Sequence, residues 1–241
     1  MISNLEKRKN IALLLDPDKV SDDSIEITLS SAGSSGTDFI FVGGSLTFTD
    51  SAALIDRIKE KSETPVILFP GNLLQLNDRA DGIMLLSLIS GRNPELLVGN
   101  HVIAAPFLKK MKSRVIPVGY ILVNCGARTS VEYMSQTDSI PSTKTDIAVA
   151  TALAGEMLGL KVIYLEAGSG ADSHVPLKMI RQVRENIDIP LIVGGGIRDE
   201  AAVREIFEAG ADIIVLGNGC ENNTKLLGEA CKVRDSFNGD K

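Results

Sequence analysis

Eight short apolar runs rich in β-forming residues punctuate the chain: 11–15 (IALLL), 38–43 (DFIFVG), 65–69 (PVILF), 82–87 (GIMLLS), 115–123 (VIPVGYILV), 161–165 (KVIYL), 190–194 (PLIVG) and 212–217 (DIIVLG). They are continuous rather than alternating in polarity, which is the pattern of parallel strands buried on both faces. Parallel neighbours need crossovers, and helical patterns lie between most of the runs. Asn93-Pro94 reads as a helix start, with Leu96, Leu97, Ile103, Ala104 and Phe107 following at near-helical spacing. Asp146 opens another, with Ile147, Ala150, Ala154, Met157 and Leu158 expected on the packing face and Gly159 as the stop. A third starts at Pro176 and carries Leu177, Ile180, Val183 and Ile187; a fourth is capped by Asp199 and closed by Gly210.

The units resemble one another. Ser35 to Gly44 (SGTDFIFVGG) echoes Ala209 to Asn218 (AGADIIVLGN), and Arg79 to Ser87 (RADGIMLLS) is a weaker third copy. Eight strands in a repeated βα unit predict a (β/α)8 TIM barrel, an α/β fold, as a single phosphate-binding domain over 1–241. A doubly wound open sheet is the alternative. It would place its glycine turn after the first strand, whereas here the glycine turns follow the last two: Gly194-Gly195-Gly196 and Gly217-Asn218-Gly219. Glycine lets the backbone approach an anion, and the next helix offers free N–H groups, so a phosphate ligand is expected there.

Two spacings break the rhythm. The segment after the third strand, PGNLLQLNDRAD (70–81), is too short for two loops and a full helix, so the third outer helix is expected to be missing or reduced and to leave a groove. The polar stretch 124–145 after the fifth strand lies on the face where barrel loops carry function, and it reads either as a lid or as a solvated loop.

Composition removes several function classes. Basic residues number 25 against 31 acidic, for a net charge of −6. With only 4% aromatic residues, neither a phosphate-binding basic patch nor a base-stacking surface is expected, so nucleic acid is not the partner. Cys125, Cys220 and Cys231 have no zinc-like spacing and suggest spare thiols in a reducing cytoplasm. Two histidines, His101 and His174, cannot build a multi-histidine metal site; His174 reads as a loop residue and His101 as a surface or packing residue. The charged start Glu6-Lys7-Arg8-Lys9 runs into a strand, so no signal peptide is expected, and no apolar run reaches membrane-spanning length.

Polar residues at the strand ends carry the chemistry. Asp16 ends the first strand and Ser45 follows the second; a carboxylate and a hydroxyl near a phosphate suit Mg²⁺, though both residues could instead cap the next helices. The sixth strand ends Tyr164-Leu165-Glu166-Ala167-Gly168-Ser169-Gly170. Tyr164 and Glu166 share a face there, and Glu166 suits a general base beside a second anion site, or a structural pair with Arg198. Arg128 and Lys144 in the 124–145 stretch are further candidate cations for a phosphate, with no spacing signature to place them.

LDPDK, FVGGS, PGN, YLEAGSGA, VGGGIR and LGN, in this order, resemble the geranylgeranylglyceryl phosphate synthase family. VGGGIR occurs in many phosphate-binding barrels; YLEAGSG together with LDPD and GGS is far more specific. The resemblance runs from the first strand to the last. It implies transfer of a prenyl group, geranylgeranyl in the family's name, from its diphosphate to sn-glycerol 1-phosphate, forming an ether and releasing diphosphate. It also implies a reduced third helix, a dimer or hexamer, and transient membrane-surface contact for the lipid product. By resemblance Asp16 and Ser45 hold Mg²⁺, and Tyr164 to Gly170, Gly195, Gly196, Gly217 and Asn218 cradle glycerol phosphate. Glu166 takes the hydroxyl proton, with Tyr164 beside it. The bacterial heptaprenyl branch has a lysine two residues before the metal aspartate. Leu14 stands there, so the chain looks more like the archaeal-type second branch, which also occurs in some bacteria. The alternatives are a sugar-phosphate isomerase on the same barrel, against which the fifth strand ends Leu122-Val123-Asn124-Cys125 with no carboxylate, and a non-catalytic binder of a phosphorylated ligand.

Overall fold

The computed structural model describes residues 8–217 and 225–239. In chain order the strands are β1 (Asn10–Leu15), β2 (Phe39–Val42), β3 (Val66–Leu68), β4 (Gly82–Leu88), β5 (Arg114–Asn124), β6 (Ile140–Pro141), β7 (Val162–Glu166), β8 (Leu191–Gly194) and β9 (Ile213–Leu216). β6 is a two-residue addition beside the end of β5. The other eight pair in parallel, and the β4–β5 and β9–β1 pairings close them into a ring. The helices are α1 (Asp22–Ser35), α2 (Ser51–Lys61), α3 (Asn100–Leu108), α4 (Ser130–Ser135), α5 (Thr145–Met157), α6 (Leu177–Asn186), α7 (Glu200–Glu208) and α8 (Leu226–Asn238). This is the expected (β/α)8 barrel. Between β3 and β4 there is only a single 3₁₀ turn, Leu73–Gln75, so the third outer helix is missing as predicted.

Side chains alternate between two cores. Phe41, Ile67, Met84, Val118, Tyr164, Ile192 and Val215 fill the barrel interior. Ile11, Leu13, Ile40, Ile163, Leu165, Val193 and Ile214 face the helix layer. Each such burial stabilises by about 1.5–3 kcal/mol, and sequestering both faces is what makes the strand sequences apolar throughout.

The internal repeat has a physical cause. Its three copies place Asp38, Asp81 and Asp212 immediately before β2, β4 and β9. Each carboxylate accepts a backbone N–H at the start of the neighbouring strand: Ile11 N, the second residue of β1, at 2.8 Å, Val66 N at 2.9 Å and Leu191 N at 2.9 Å respectively. Each also meets a cation from an outer helix: Arg234 at 2.5 Å, Lys59 at 2.7 Å and Arg184 at 3.0 Å. The repeated aspartate is therefore a clamp between strand, strand and helix at the bottom of the barrel.

Two helices depart from the sequence expectation. On α5 the buried residues are Thr145, Ala148, Ala152 and Gly155, while Ile147, Ala150, Ala154, Met157 and Leu158, expected to pack inward, face solvent. The reason is close approach: a Cβ on Gly155 would lie 2.8 Å from Ile89 Cδ1, so only the small-residue face fits against the barrel. The helix expected from Asn93-Pro94 opens instead with a π-wound turn, Glu95–Gly99, before α3. The changed winding buries Ala104 and Leu108 and leaves Ile103 and Phe107 exposed. No helix among the described residues is long and apolar enough to cross a membrane.

Candidate active site

The strand ends at the carboxyl side of the ring surround a cavity of about 1390 Å³. Gly168, Ser169 and Gly170 after β7, Gly195 and Gly196 after β8, and Gly217 at the end of β9 line one side. Asn218, expected beside Gly217, lies outside the described residues. Gly195 adopts a left-handed φ of +83°, and a Cβ there would stand 2.6 Å from Glu166 Oε1 and 2.7 Å from Gly168 N. Only glycine lets the β8 turn close onto the β7 turn. The result is a concave strip of backbone from three loops, the form of a phosphate cradle.

Glu166 ends β7 and is 6% exposed. Its Oε1 accepts the Gly168 N–H at 2.6 Å. Burial pushes its carboxyl above the usual carboxylate range, against the lowering influence of that N–H and of the tyrosine hydroxyls of Tyr164 and Tyr120. A carboxylate held toward neutrality in a cavity wall has the property a general base needs. Among the described residues no ion pair joins Glu166 to Arg198; that guanidinium donates to the Ala171 carbonyl at 2.9 Å, so the structural pairing considered from sequence is not made.

Below Glu166 sits an aromatic floor. Tyr164 stacks on Phe69 at 5.6 Å between ring centroids and meets Tyr120 edge-on at 5.1 Å. Burial, and the nearby Glu166 charge, hold both hydroxyls well above the ordinary phenol range, so they remain protonated. The Tyr164 hydroxyl is fully buried and, among the described residues, finds no hydrogen-bond acceptor in good geometry. A Cβ on Gly194 would fall 2.3 Å from it, so the strand glycine makes room for it. Tyr120 was not singled out from sequence. The parallel register Tyr120↔Tyr164 and Leu122↔Glu166 is what places it there, and only knowledge of which strands are neighbours reveals it. Cys125 lies near the same charge; burial pushes its thiol up to about 12, which makes it inert.

Across the mouth, Asp16 and Ser45 line the cavity from β1 and β2. Neither caps a helix: Ser21 caps α1 and Asp50 caps α2. A Cβ on Gly44 would come within 3.3 Å of the Asp16 carboxylate, so Asp16 lies directly against the turn that carries Ser45. A carboxylate and a hydroxyl, both hard oxygen donors, beside an open cavity fit an ion that keeps most of its shell for water and phosphate, as Mg²⁺ does. Asp18, next in the turn, accepts the N–H groups of Phe48 and Thr49 at 2.9 and 2.7 Å and ties the β1 and β2 loops together.

The 124–145 stretch is ordered over the site. Thr129 and Glu132 form a capping box at the start of α4, and Glu132 also accepts the Ser139 hydroxyl. Arg128, Thr129, Val131, Tyr133 and Met134 from this segment line the cavity; Lys144 lies outside its lining, in the turn before α5. A Cβ on Gly168 would strike Thr129 Cγ2 at 2.2 Å, so this segment packs directly on the glycine turn after β7. Where the third helix is missing, the cavity runs outward past Leu73, Leu76, Leu85, Leu96 and His101. His101, expected as a surface or packing residue, lines this apolar extension and bonds the Ser87 hydroxyl at 2.9 Å. His174 is the expected loop residue, its Nδ1 held to the Val175 carbonyl.

Two residues of the Tyr164–Gly170 run do not face the cavity. Leu165 and Ala167 belong to the outer core, as strand alternation requires, so only their backbone could reach a ligand. The Ala167 N–H is already donated to the Gly194 carbonyl at 2.9 Å.

A sequence model of the PcrB family matches residues 3–233. The chain belongs to the PcrB family. A relative named geranylgeranylglyceryl phosphate synthase, from Spirosoma linguale, is 50% identical over 97% of this chain and 94% of its own. Another of that name, from Chitinophaga pinensis, is 47% identical over 92% and 88%. The crystal structure of (S)-3-O-geranylgeranylglyceryl phosphate synthase from Thermoplasma acidophilum, in complex with its substrate sn-glycerol-1-phosphate, superposes with a TM-score of 0.90. It is 33% identical, over 98% of this chain and 96% of that one.

Proposed function

We propose that this chain is a prenyltransferase that joins sn-glycerol 1-phosphate to a prenyl diphosphate, geranylgeranyl diphosphate first among them. The observation that carries the reading is the pairing of a backbone phosphate cradle with an apolar extension of the same cavity, with buried Glu166 beside the cradle. The glycerol phosphate head rests on Gly168–Gly170, Gly195, Gly196 and Gly217. The prenyl tail lies along Leu73, Leu76 and Leu85, where burial is worth about 25 cal/mol per Å² of apolar surface. Glu166 accepts the proton of the attacking glycerol hydroxyl as that oxygen bonds to the first prenyl carbon; the carbon–oxygen bond to the diphosphate breaks, and diphosphate leaves with the electron pair. Mg²⁺ held by Asp16 and Ser45 would neutralise the leaving group's charge. Tyr164 and Tyr120, still protonated, shape the floor under Glu166. The lid keeps water from an allylic carbon that becomes electrophilic as the bond breaks.

Exposed Leu46, Phe48 and Leu74 flank the opening and would face a membrane surface during collection or release of lipid. The apolar outer face of α5, with Met157 81% and Leu158 78% exposed, is proposed as the self-association surface of a homo-oligomer. The site is expected to work in the cytoplasm. The test is incubation of the purified chain with glycerol 1-phosphate, Mg²⁺ and radiolabelled geranylgeranyl diphosphate, followed by lipid extraction. Labelled ether lipid that disappears with EDTA and in Asp16→Ala supports the reading; no product from any prenyl donor, in a folded chain that still binds phosphate, refutes it.

A further inference from the structure

Gln75 closes the single 3₁₀ turn that stands where the third helix is missing, and it is buried, at 7% exposed. Both ends of its side-chain amide are engaged. Oε1 accepts the Gly71 N–H at 2.9 Å, and Nε2 donates to the Gly44 carbonyl at 3.1 Å. Only one orientation of the amide satisfies both partners. The Gly44 carbonyl belongs to the peptide that leads into Ser45, so the amide grips the turn that carries the hydroxyl. Gly71 presses on the same turn: a Cβ there would stand 2.3 Å from the Gly44 oxygen and 2.9 Å from Ser45 Cα. Asp16 lies against Gly44 as well, its carboxyl 3.3 Å from where a Cβ would be. The root of Gln75 is fixed too. Its backbone carbonyl accepts the Ser51 hydroxyl at 3.5 Å and the Asn77 amide at 3.2 Å, and Ser51 is the first residue of α2.

A loop that follows a barrel strand is ordinarily steadied by the helix it leads into. The loop after β3 leads into no full helix, and one buried side chain braces it against its neighbour instead. We propose that Gln75 is a positioning residue for the metal-binding turn: by holding Gly44 from the β3 side, it sets the separation of Ser45 from Asp16. This rests on the reading of Asp16 and Ser45 as Mg²⁺ donors. The two come from different loops, and Mg²⁺ demands near-ideal octahedral geometry at about 2.0–2.1 Å. A turn that drifts by a fraction of an ångström therefore loses affinity for the ion. The glycine cradle follows β7, β8 and β9, across the ring, and is shaped by its own close contacts between Gly195, Gly168 and Glu166.

The test uses the full chain and two binding probes, with no turnover. Mn²⁺ binding to metal-free protein is followed by electron paramagnetic resonance, and sn-glycerol 1-phosphate binding without metal by calorimetry. Gln75→Leu keeps the bulk and removes both hydrogen bonds. It is expected to bind Mn²⁺ about tenfold more weakly, since the turn loses its brace. Its affinity for sn-glycerol 1-phosphate should stay at the wild-type value. Gly71→Ala pushes the Ser45 turn from the same side by a different means, and the same split is expected. A merely structural role would weaken both ligands together, so equal weakening overturns the proposal. Unchanged Mn²⁺ binding in folded Gln75→Leu overturns it as well. Should Gln75→Leu fail to fold, unchanged Mn²⁺ binding in Gly71→Ala does so. Mn²⁺ binding by wild type no tighter than by Asp16→Asn overturns the metal reading itself.

Discussion

Oε1 of Glu166 receives the backbone N–H of Gly168 at 2.6 Å, from two residues further along the same chain. The proposed base and the first glycine of the proposed cradle are therefore one local unit, and on that reading a ligand settling on the glycine turns meets Glu166 directly. Burial raises the Glu166 carboxyl, so the rate should climb with pH through a value above the ordinary glutamate range, as the base becomes ionised. Glu166→Gln should lower kcat by about 10²- to 10⁴-fold and abolish that acid limb. The same raised pKa means that the folded state holds this proton more tightly than the unfolded one. Its contribution to stability is complete below the unfolded pKa and fades as pH rises through the folded pKa. Glu166→Gln should accordingly melt no lower than wild type at neutral pH. A pH–rate profile and melting curves over the same pH range check both statements.

Gly195→Ala should damage the site from the backbone. The added methyl would meet Glu166 Oε1 and Gly168 N inside van der Waals contact, and the left-handed φ of +83° adds strain of about 1–2 kcal/mol for a residue with a Cβ. Weaker glycerol phosphate binding with a modest loss in melting temperature is expected, measured by calorimetry and thermal denaturation. Unchanged affinity would mean that the β7 and β8 turns do not jointly hold the phosphate.

Asp212→Ala tests the clamp without touching the site. It strips an acceptor from the buried Leu191 N–H and a partner from Arg184, for an expected loss of about 1–3 kcal/mol in denaturant unfolding. The Michaelis constants for both substrates should not move, because Asp212 lies at the opposite end of β9 from the cradle.

Leu158→Glu, at the exposed C-cap of α5, should reduce the assembly to a smaller species in light scattering after gel filtration. The monomer fold, judged by circular dichroism, should persist. A mass unchanged from wild type would assign self-association to another face.

The barrel was legible because its strands are buried on both sides, so Ile11–Leu15 or Ile213–Leu216 cannot be mistaken for half-exposed antiparallel strands. The short segment at 70–81 was legible by length alone. The polar tips Asp16, Ser45 and Glu166 were found because a strand end marks the mouth of any such barrel, and the structure sets all three around one cavity. What periodicity could not show is which helix face packs when a helix is apolar all round. On α5 the decision fell to Ala148, Ala152 and Gly155, whose lack of bulk outweighed the larger residues' hydrophobicity. Nor could it show contacts across strands. Tyr120 beside Tyr164, and Asp18 beneath Phe48, depend on register and loop pairing. The aspartate repeat was visible in the sequence, but its meaning as a strand clamp was not.

In the closed ring the missing helix and the phosphate turns stand half a circumference apart, β3–β4 on one side and β8–β9 on the other. The proposed hydrocarbon therefore leaves the barrel sideways, through its wall, and changes in its length are absorbed outside the ring of catalytic strand tips. On that reading, resculpting one flank of the barrel changes the length of chain accepted and leaves the proposed bond-making centre as it was.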